Sequence, residues 1–238
     1  MDLAPINFRQ YSDTFKGSED KKWKAVGDVD ASCLYCYEDA IRNIKKYLND
    51  PKIIILLRNP AERAYSHFMM RKMRNQESRE FREALIEEDT DSFRPYKQGS
   101  CSEQVKAYLD NFSQVKIYLY DDLEADSVAL MQDLFAFIGV ASSFRPNTSM
   151  RYNVSGVPKV KIINSLRSNY PLKTVVQIFI SVLGIKKWVK KIAKKLHAKN
   201  LKKTAINESD RHYLVDYYRE DVQVLQKLIQ RDLSHWLK

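Results

Sequence analysis

The chain has 238 residues, 44% of them hydrophobic and 29% charged, the balance of a soluble globular protein and not of a disordered or fibrous one. Its net charge of +10 favours anionic partners: nucleotides, nucleic acid, acidic glycans or anionic lipid. A chain this long buries a core without disulfides or metals, and its three cysteines cannot all pair, which points to a reducing compartment.

Residues 1–24 are polar and mixed in charge, unlike a signal peptide. The longest apolar stretch, around residues 174–185, is shorter than the roughly 20 residues that span a bilayer. A cytoplasmic protein is the expectation.

Residues 1–26 show no clear period and read as loop and short helix. Residues 35–48 read as a helix, with Ile41, Ile44 and Leu48 at helical spacing, and Asp50-Pro51 ends it. The run Lys52-Ile53-Ile54-Ile55-Leu56-Leu57 is continuously aliphatic after its lysine, and predicts a strand buried on both faces in a parallel sheet. Asn59 then offers an N-cap and Pro60 the first position of a helix reaching about Met73. Short helices follow over 81–88 and 101–112. Residues 115–120 make a second strand. An amphipathic helix covers 126–138 and ends at Gly139. Residues 141–158 are rich in Pro, Asn, Ser and Gly and read as a long loop. The rest reads as helical: 159–166, 174–183, 186–201 and 209–237. In the last, Leu214, Tyr218, Val222, Leu225, Ile229 and Trp236 share one apolar face. There is no internal repeat. Strands alternating with helices give an α/β fold with a small parallel sheet.

One segment carries recognisable chemistry. A buried strand that ends in Arg58 and turns directly into a helix makes an anion site, because the helix start offers N–H groups and the positive end of its dipole. Arg58 stands at the carboxyl end of the strand, where α/β folds bind ligands, and its guanidinium can grip a phosphate with two donors. Ser66, two turns into the helix, can donate a hydroxyl to the same anion. The plainer readings are an Arg58 paired with a carboxylate and a Ser66 that packs a helix. Arg63 reads as a brace for the turn, paired with an acid, and His67 as a structural histidine.

The run KIIILLRNPAERAYSHF, residues 52–68, resembles the 3′-phosphate-binding segment of sulfotransferases that use 3′-phosphoadenosine 5′-phosphosulfate (PAPS). It is most similar to the bacterial and heparan-sulfate-type branch. Further similarities follow in order: Glu77 with Phe81 and Leu85, VKIYLYDDL at 115–123, LFAFIGV at 134–140, RYNVSGVPK at 151–159, and the terminal stretch from Tyr213 through RDLSHW at 231–236. The resemblance implies a three-layer, P-loop-NTPase-like fold in one domain over residues 1–238, with a helix-rich C-terminal part. It implies that Arg58 and Ser66 bind the 3′-phosphate of PAPS. It also implies that Arg151 heads a loop closing over the nucleotide, which Asn153, Ser155 and Gly156 line. PAPS is then a co-substrate, and no metal is expected. The catalytic base is not assigned.

The glycine-rich loop that wraps the 5′-phosphosulfate in that family has no counterpart in the chain. Its six glycines are scattered, and none stands in a G-x-x-x-x-G-K or Lys-x-Gly-Thr-Thr setting. The fold is therefore expected to be N-terminally truncated, without its first strand and phosphosulfate loop. A shortened gene or misassigned start, a noncatalytic relative, and a loop supplied by another polypeptide all remain open. Gly27-Asp28-Val29-Asp30-Ala31-Ser32-Cys33-Leu34-Tyr35 resembles a family Gly-Glu-Ala-Ser-Pro-x-Tyr stretch near the acceptor, departing from it at several positions, where Asp28 and Asp30 would orient a hydroxyl; surface acids are the plainer reading. Cys33-x-x-Cys36 lacks the second His/Cys pair of a zinc site.

Nine lysines lie between Lys186 and Lys203, opposite an apolar stripe of Ile185, Trp188, Val189, Ile192 and Leu196. A solvated lysine face is the plain reading, and peripheral contact with an anionic glycan or membrane surface the sharper one. No nucleic-acid-binding spacing accompanies it. The expected function is sulfuryl transfer from PAPS to a hydroxyl or amine, on a carbohydrate acceptor. The alternatives are a noncatalytic nucleotide-binding remnant of the fold and a basic protein that binds nucleic acid or a membrane surface.

Overall fold

Two aliphatic runs carry the sheet. The computed structural model describes residues 15, 23–87, 96–147, 157–158, 201–202 and 205–238. Helices α1 (Ser32–Tyr35) and α2 (Tyr37–Tyr47) lead into β1 (Ile53–Leu57). A crossover through α3 (Pro60–Met73), α4 (Phe81–Glu87) and α5 (Ser102–Asn111) then brings the chain to β2 (Val115–Leu119). Helices α6 (Tyr120–Ala125) and α7 (Ser127–Ile138) follow, then the short β3 (Val157–Pro158) and β4 (Leu201–Lys202), α8 (Glu208–Ile229), and a 3₁₀ turn at Ser234–Leu237. β1 and β2 pair in parallel, from Ile53 opposite Val115 to Leu57 opposite Leu119. The fold is α/β with a small parallel sheet, as the alternating pattern predicts.

Several elements differ from that pattern. β1 is buried on one face only: Ile55 and Leu57 are covered, while Ile54 and Leu56 are 40% and 51% exposed. Successive side chains of a strand point to opposite faces, and an aliphatic run does not specify how many layers cover it. The single helix expected over 35–48 starts earlier and breaks at Cys36, whose backbone (φ −96°, ψ 47°) is not helical. The second strand stops at Leu119, because the Asp122 carboxylate accepts the Leu119 N–H (3.1 Å) and starts α6 at Tyr120. The terminal helix stops at Ile229, where Gln230 takes a left-handed φ of 53°. Trp236 is buried, but from the 3₁₀ turn and not from the helix face. Val157–Pro158 pairs antiparallel with Leu201–Lys202, so two residues of the expected loop and the last residue of the expected 186–201 helix are strand. The helices expected over 159–166 and 174–183, and that over 186–201 apart from Leu201, lie outside the described residues.

The chain falls into two compact units. The first comprises residues 1–61, 98–150 and 212–238. Its α2 and α5 are joined by the Tyr37 hydroxyl donating to Glu103 (3.0 Å) and by Lys45 donating to Asn111 (3.0 Å). The start of α5 is capped from a distance: Asp221 of α8 accepts the N–H groups of Cys101 (3.0 Å) and Ser102 (3.1 Å). α8 buries Leu214, Tyr218, Val222 and Leu225, one stripe at helical spacing. Asp126 caps α7 by accepting from Val128 (3.0 Å) and Ala129 (2.9 Å), and Gly139 closes it at φ 82°.

The second unit comprises residues 62–97 and 151–211. Phe68 and Phe81 meet at 4.9 Å between ring centroids, with Tyr65 against Phe81 at 5.2 Å and Tyr96 against Phe68 at 5.8 Å. A carboxylate sits beside these rings. Glu77 is buried and accepts from Arg79 Nη2 (2.6 Å), Arg79 Nε (2.8 Å) and the Tyr96 hydroxyl (2.8 Å). The Arg79 hydrogen bonds hold its carboxyl down at about 2, against the desolvation that would raise it.

Two stability experiments follow. A Cβ on Gly99 would stand 2.7 Å from Pro60 Cβ and 2.8 Å from the Tyr218 ring. Gly99→Ala is expected to cost about 1–3 kcal/mol and lower the melting midpoint by several degrees, measured by circular dichroism. Because the folded state holds Glu77 below its unfolded pKa, its contribution is complete above about pH 4.5 and fades as pH falls toward 2. Glu77→Gln is expected to cost on the order of 3 kcal/mol at pH 7 and progressively less below pH 4 in urea titrations.

Candidate functional site

β1 delivers Arg58 to the sheet edge at its carboxyl end, and Asn59 converts strand into helix. The Asn59 side-chain oxygen accepts the Ala61 N–H (2.9 Å), and Pro60 occupies the first helical position without an N–H to satisfy. Asn59 is buried, and its amide also donates to the Trp236 carbonyl (3.5 Å). This is the predicted strand–cap–helix junction.

Arg58 is half-buried, and among the described residues no carboxylate pairs with it. Its guanidinium lies over the Tyr120 ring, 4.9 Å from the centroid. The register explains the meeting. Leu57 and Leu119 are the last paired residues, so Arg58 and Tyr120 leave the sheet side by side. Behind Tyr120, Asp122 forms a two-donor ion pair with Arg231 (2.8 and 3.1 Å). Asp121 accepts from the Trp236 indole N–H (3.2 Å) and lies 3.2 Å from the His235 ring. The Arg231 hydrogen bond keeps the Asp122 carboxyl below the usual carboxylate range. The C-terminal turn thus braces both strand ends, through Asn59 and through α6.

Other predicted residues divide. Ser66 is half-buried on α3, the same continuous helix, and already has a partner. Arg58 belongs to the first unit and Ser66 to the second. Arg151, Asn153, Ser155 and Gly156 lie outside the described residues, as does the lysine-rich segment except Leu201–Lys202. Asp28 and Asp30 are spent locally, Asp28 accepting from Val29 N–H (2.8 Å) and Asp30 from Ser32 N–H (2.8 Å). Burial, with Asp30 and Asp28 nearby, pushes the Cys33 thiol up. Among the described residues no group of three or more His, Cys, Asp or Glu is placed to hold a metal ion. None of the described helices is long and apolar enough to cross a membrane.

His67 packs edge-on against Tyr96 (5.7 Å between centroids). Burial first, and the Arg63, Arg71 and Arg74 charges after it, push its pKa down to about 4. A neutral imidazole in aromatic surroundings fits the structural role. The unfolded chain protonates His67 near pH 6.5 and the folded one does not, so its contribution is lost as pH falls from about 6.5 toward 4. His67→Gln is expected to flatten the fall in stability over that interval, read from melting midpoints at stepped pH.

Nothing in the local sequence marks Tyr120, Asp121, Asp122, Arg231 or Trp236 as neighbours of the Arg58 junction. The usable signal is the pairing register, which aligns an arginine and an aromatic at matched strand ends.

The sulfotransferase domain family model matches residues 41–220. The crystal structure of a sulfotransferase from Alicyclobacillus acidocaldarius superposes with a TM-score of 0.69 at 26% identity, covering 98% of this chain and 75% of that one. Comparison with curated proteins yields no match.

Proposed function

The chain belongs to the sulfotransferase domain family, and on that premise we propose that its β1–α3 junction holds the 3′-phosphate of PAPS for sulfuryl transfer to a hydroxyl or amine, the acceptor being a carbohydrate. Family membership supports an enzyme with a nucleotide sulfate donor and an acceptor. The observation that carries the donor site is Arg58: a guanidinium at the carboxyl end of a parallel strand, beside a capped helix start, with no carboxylate partner among the described residues. A dianionic phosphate fits that junction through a two-donor grip and the helix dipole. Ser66 supplies a hydroxyl from α3. Arg151, with Asn153, Ser155 and Gly156, closes over the nucleotide. The family match runs through sequence of both compact units, which supports reading residues 1–238 as one domain.

In the reaction, the bond between sulfur and the bridging phosphate oxygen breaks and a bond from sulfur to the acceptor oxygen or nitrogen forms. The acceptor proton leaves to a base, and 3′,5′-ADP departs. Charge grows on the leaving phosphate, at the far end of the nucleotide from Arg58. The role of Arg58 is therefore to bind and orient the donor, not to stabilise that charge. The second reading is a nucleotide-binding relative without turnover.

Calorimetry with 3′,5′-ADP tests the donor site. Arg58→Ala is expected to weaken binding about 10- to 100-fold, the loss of charge-assisted hydrogen bonds. Arg58→Lys is expected to recover only part of it, since a point charge replaces a fork. Absence of binding, or affinity indifferent to Arg58, removes the proposal. Release of 3′,5′-ADP from PAPS only when an acceptor sugar is present separates the enzyme from the nonturning relative.

A further inference from the structure

Two cysteines of the first unit stand apart from the Arg58 junction. Cys33 lies in α1, and Cys36 follows three residues on, where α1 breaks from α2. Both are half-buried and neither is in a disulfide. The turn between them is wound: the Cys33 N–H donates to the Asp30 carbonyl (3.3 Å) and the Cys36 N–H to the Ser32 carbonyl (2.8 Å). Residues three apart in such a turn share one face, with Cβ atoms about 5–6 Å apart. Both thiols also act on a single phenol. The Tyr108 hydroxyl of α5 donates to the Cys33 carbonyl (2.7 Å), and burial first, then the Cys33 and Cys36 thiols, push that phenol up.

A disulfide needs its Cβ atoms about 3.5–4.5 Å apart, so the pair is roughly 1–2 Å from bonding distance. Cys36 belongs to neither helix, and its backbone (φ −96°, ψ 47°) is already outside the helical region. It can make that movement without a helical residue giving up its conformation. The third cysteine, Cys101, stands at the start of α5, where its N–H donates to Asp221 (3.0 Å).

We propose that Cys33 and Cys36 form a reversible disulfide, with a low-molecular-weight disulfide as oxidant, and that this bond locks the break between α1 and α2. The Cys36 thiolate attacks one sulfur of oxidised glutathione; the S–S bond breaks, and the other half leaves as a thiolate and takes up a proton. Cys33 gives its proton to solvent, attacks the Cys36 sulfur of the mixed disulfide and releases the second glutathione. Two protein thiols are oxidised and one glutathione disulfide is reduced to two thiols. Cys33 suits the second step. Burial, then Asp30, Asp28 and Cys36, push its thiol up, so it reacts best with a sulfur already held beside it. Those groups and Tyr108 of α5 are the titratable neighbours that face it. The inference is independent of the nucleotide reading of Arg58.

The test incubates the full chain with oxidised glutathione, alkylates it and digests it with trypsin, which leaves both cysteines on residues 25–42 and Cys101 on residues 98–106. The 25–42 peptide is expected to lose two hydrogen masses and to regain them in dithiothreitol. Cys33→Ser and Cys36→Ser are each expected to abolish that loss, and Cys101→Ser to leave it intact. Circular dichroism melting checks folding, and alanine replaces serine in any variant that does not fold. Glutathione adducts on the 25–42 peptide that never close, or a bond to Cys101 or to a second copy in place of this pair, would overturn the assignment. Closure is expected to slow amide exchange over residues 25–42 about three- to tenfold, and unchanged exchange would overturn the lock. Closure of the mixed disulfide is expected to quicken as pH rises from about 7 to 9, and a rate indifferent to pH would overturn the role of Cys33 as second nucleophile.

Discussion

The parallel pairing of β1 with β2 is the constraint on which the candidate site depends. Parallel strands run out of the sheet at the same end, and here both stop at the same register position, Leu57 opposite Leu119. Each chain turns into a helix at once, one capped by Asn59 and the other started by Asp122. Two helix starts therefore lie at one edge of the sheet, with Arg58 and Tyr120 between strand and helix. A one-residue slip in register would separate the guanidinium from the ring and point Arg58 to the other face.

That edge is not self-supporting. Asn59 and Asp121 both hydrogen-bond Trp236, and Asp122 pairs with Arg231. The last residues of the chain thus serve as a buttress for a junction formed near its first quarter. Buried Leu233 and Trp236 anchor the buttress by burial of apolar surface, and the polar contacts give it direction. Gly99 belongs to the same arrangement: only a residue without Cβ lets the chain pass against Pro60 and Tyr218.

In the second unit the organising group is a buried carboxylate, Glu77, paired with the half-exposed Arg79, in place of a strand junction. Glu77 bonds Tyr96 of the Phe68–Phe81–Tyr96 cluster and accepts four hydrogen bonds in all, three of them from Arg79. Losing a partner is costly for such a group, because the carboxylate would stay buried without compensation. His67, kept neutral by burial and three arginines, belongs to the same interior and has no need of a catalytic explanation. Binding at the Arg58 junction identifies the donor, and the chemistry of transfer takes place at the other end of that molecule.

The sequence by itself determined the local grammar: two aliphatic strands, Asn59-Pro60 as a helix start, Asp126 and Gly139 as the ends of α7, and an arginine at a strand terminus. These are legible because a cap, a turn or a helical period is written within a few residues of where it acts. It also carried enough ordered similarity to indicate the family that the match over residues 41–220 bears out. Only the tertiary structure decided that β1 has one bare face, that Asp122 ends β2 before Tyr120, that α8 stops at Gln230, and that among the described residues Arg58 meets a ring and no carboxylate. Each of these depends on what packs against a segment or on a partner that pairing brings from elsewhere in the chain. Hydrophobic burial is nondirectional, so an aliphatic run records the wish to be covered but not the covering element. The neighbour of Arg58 was written in the register of two strands, and register exists only once they have met.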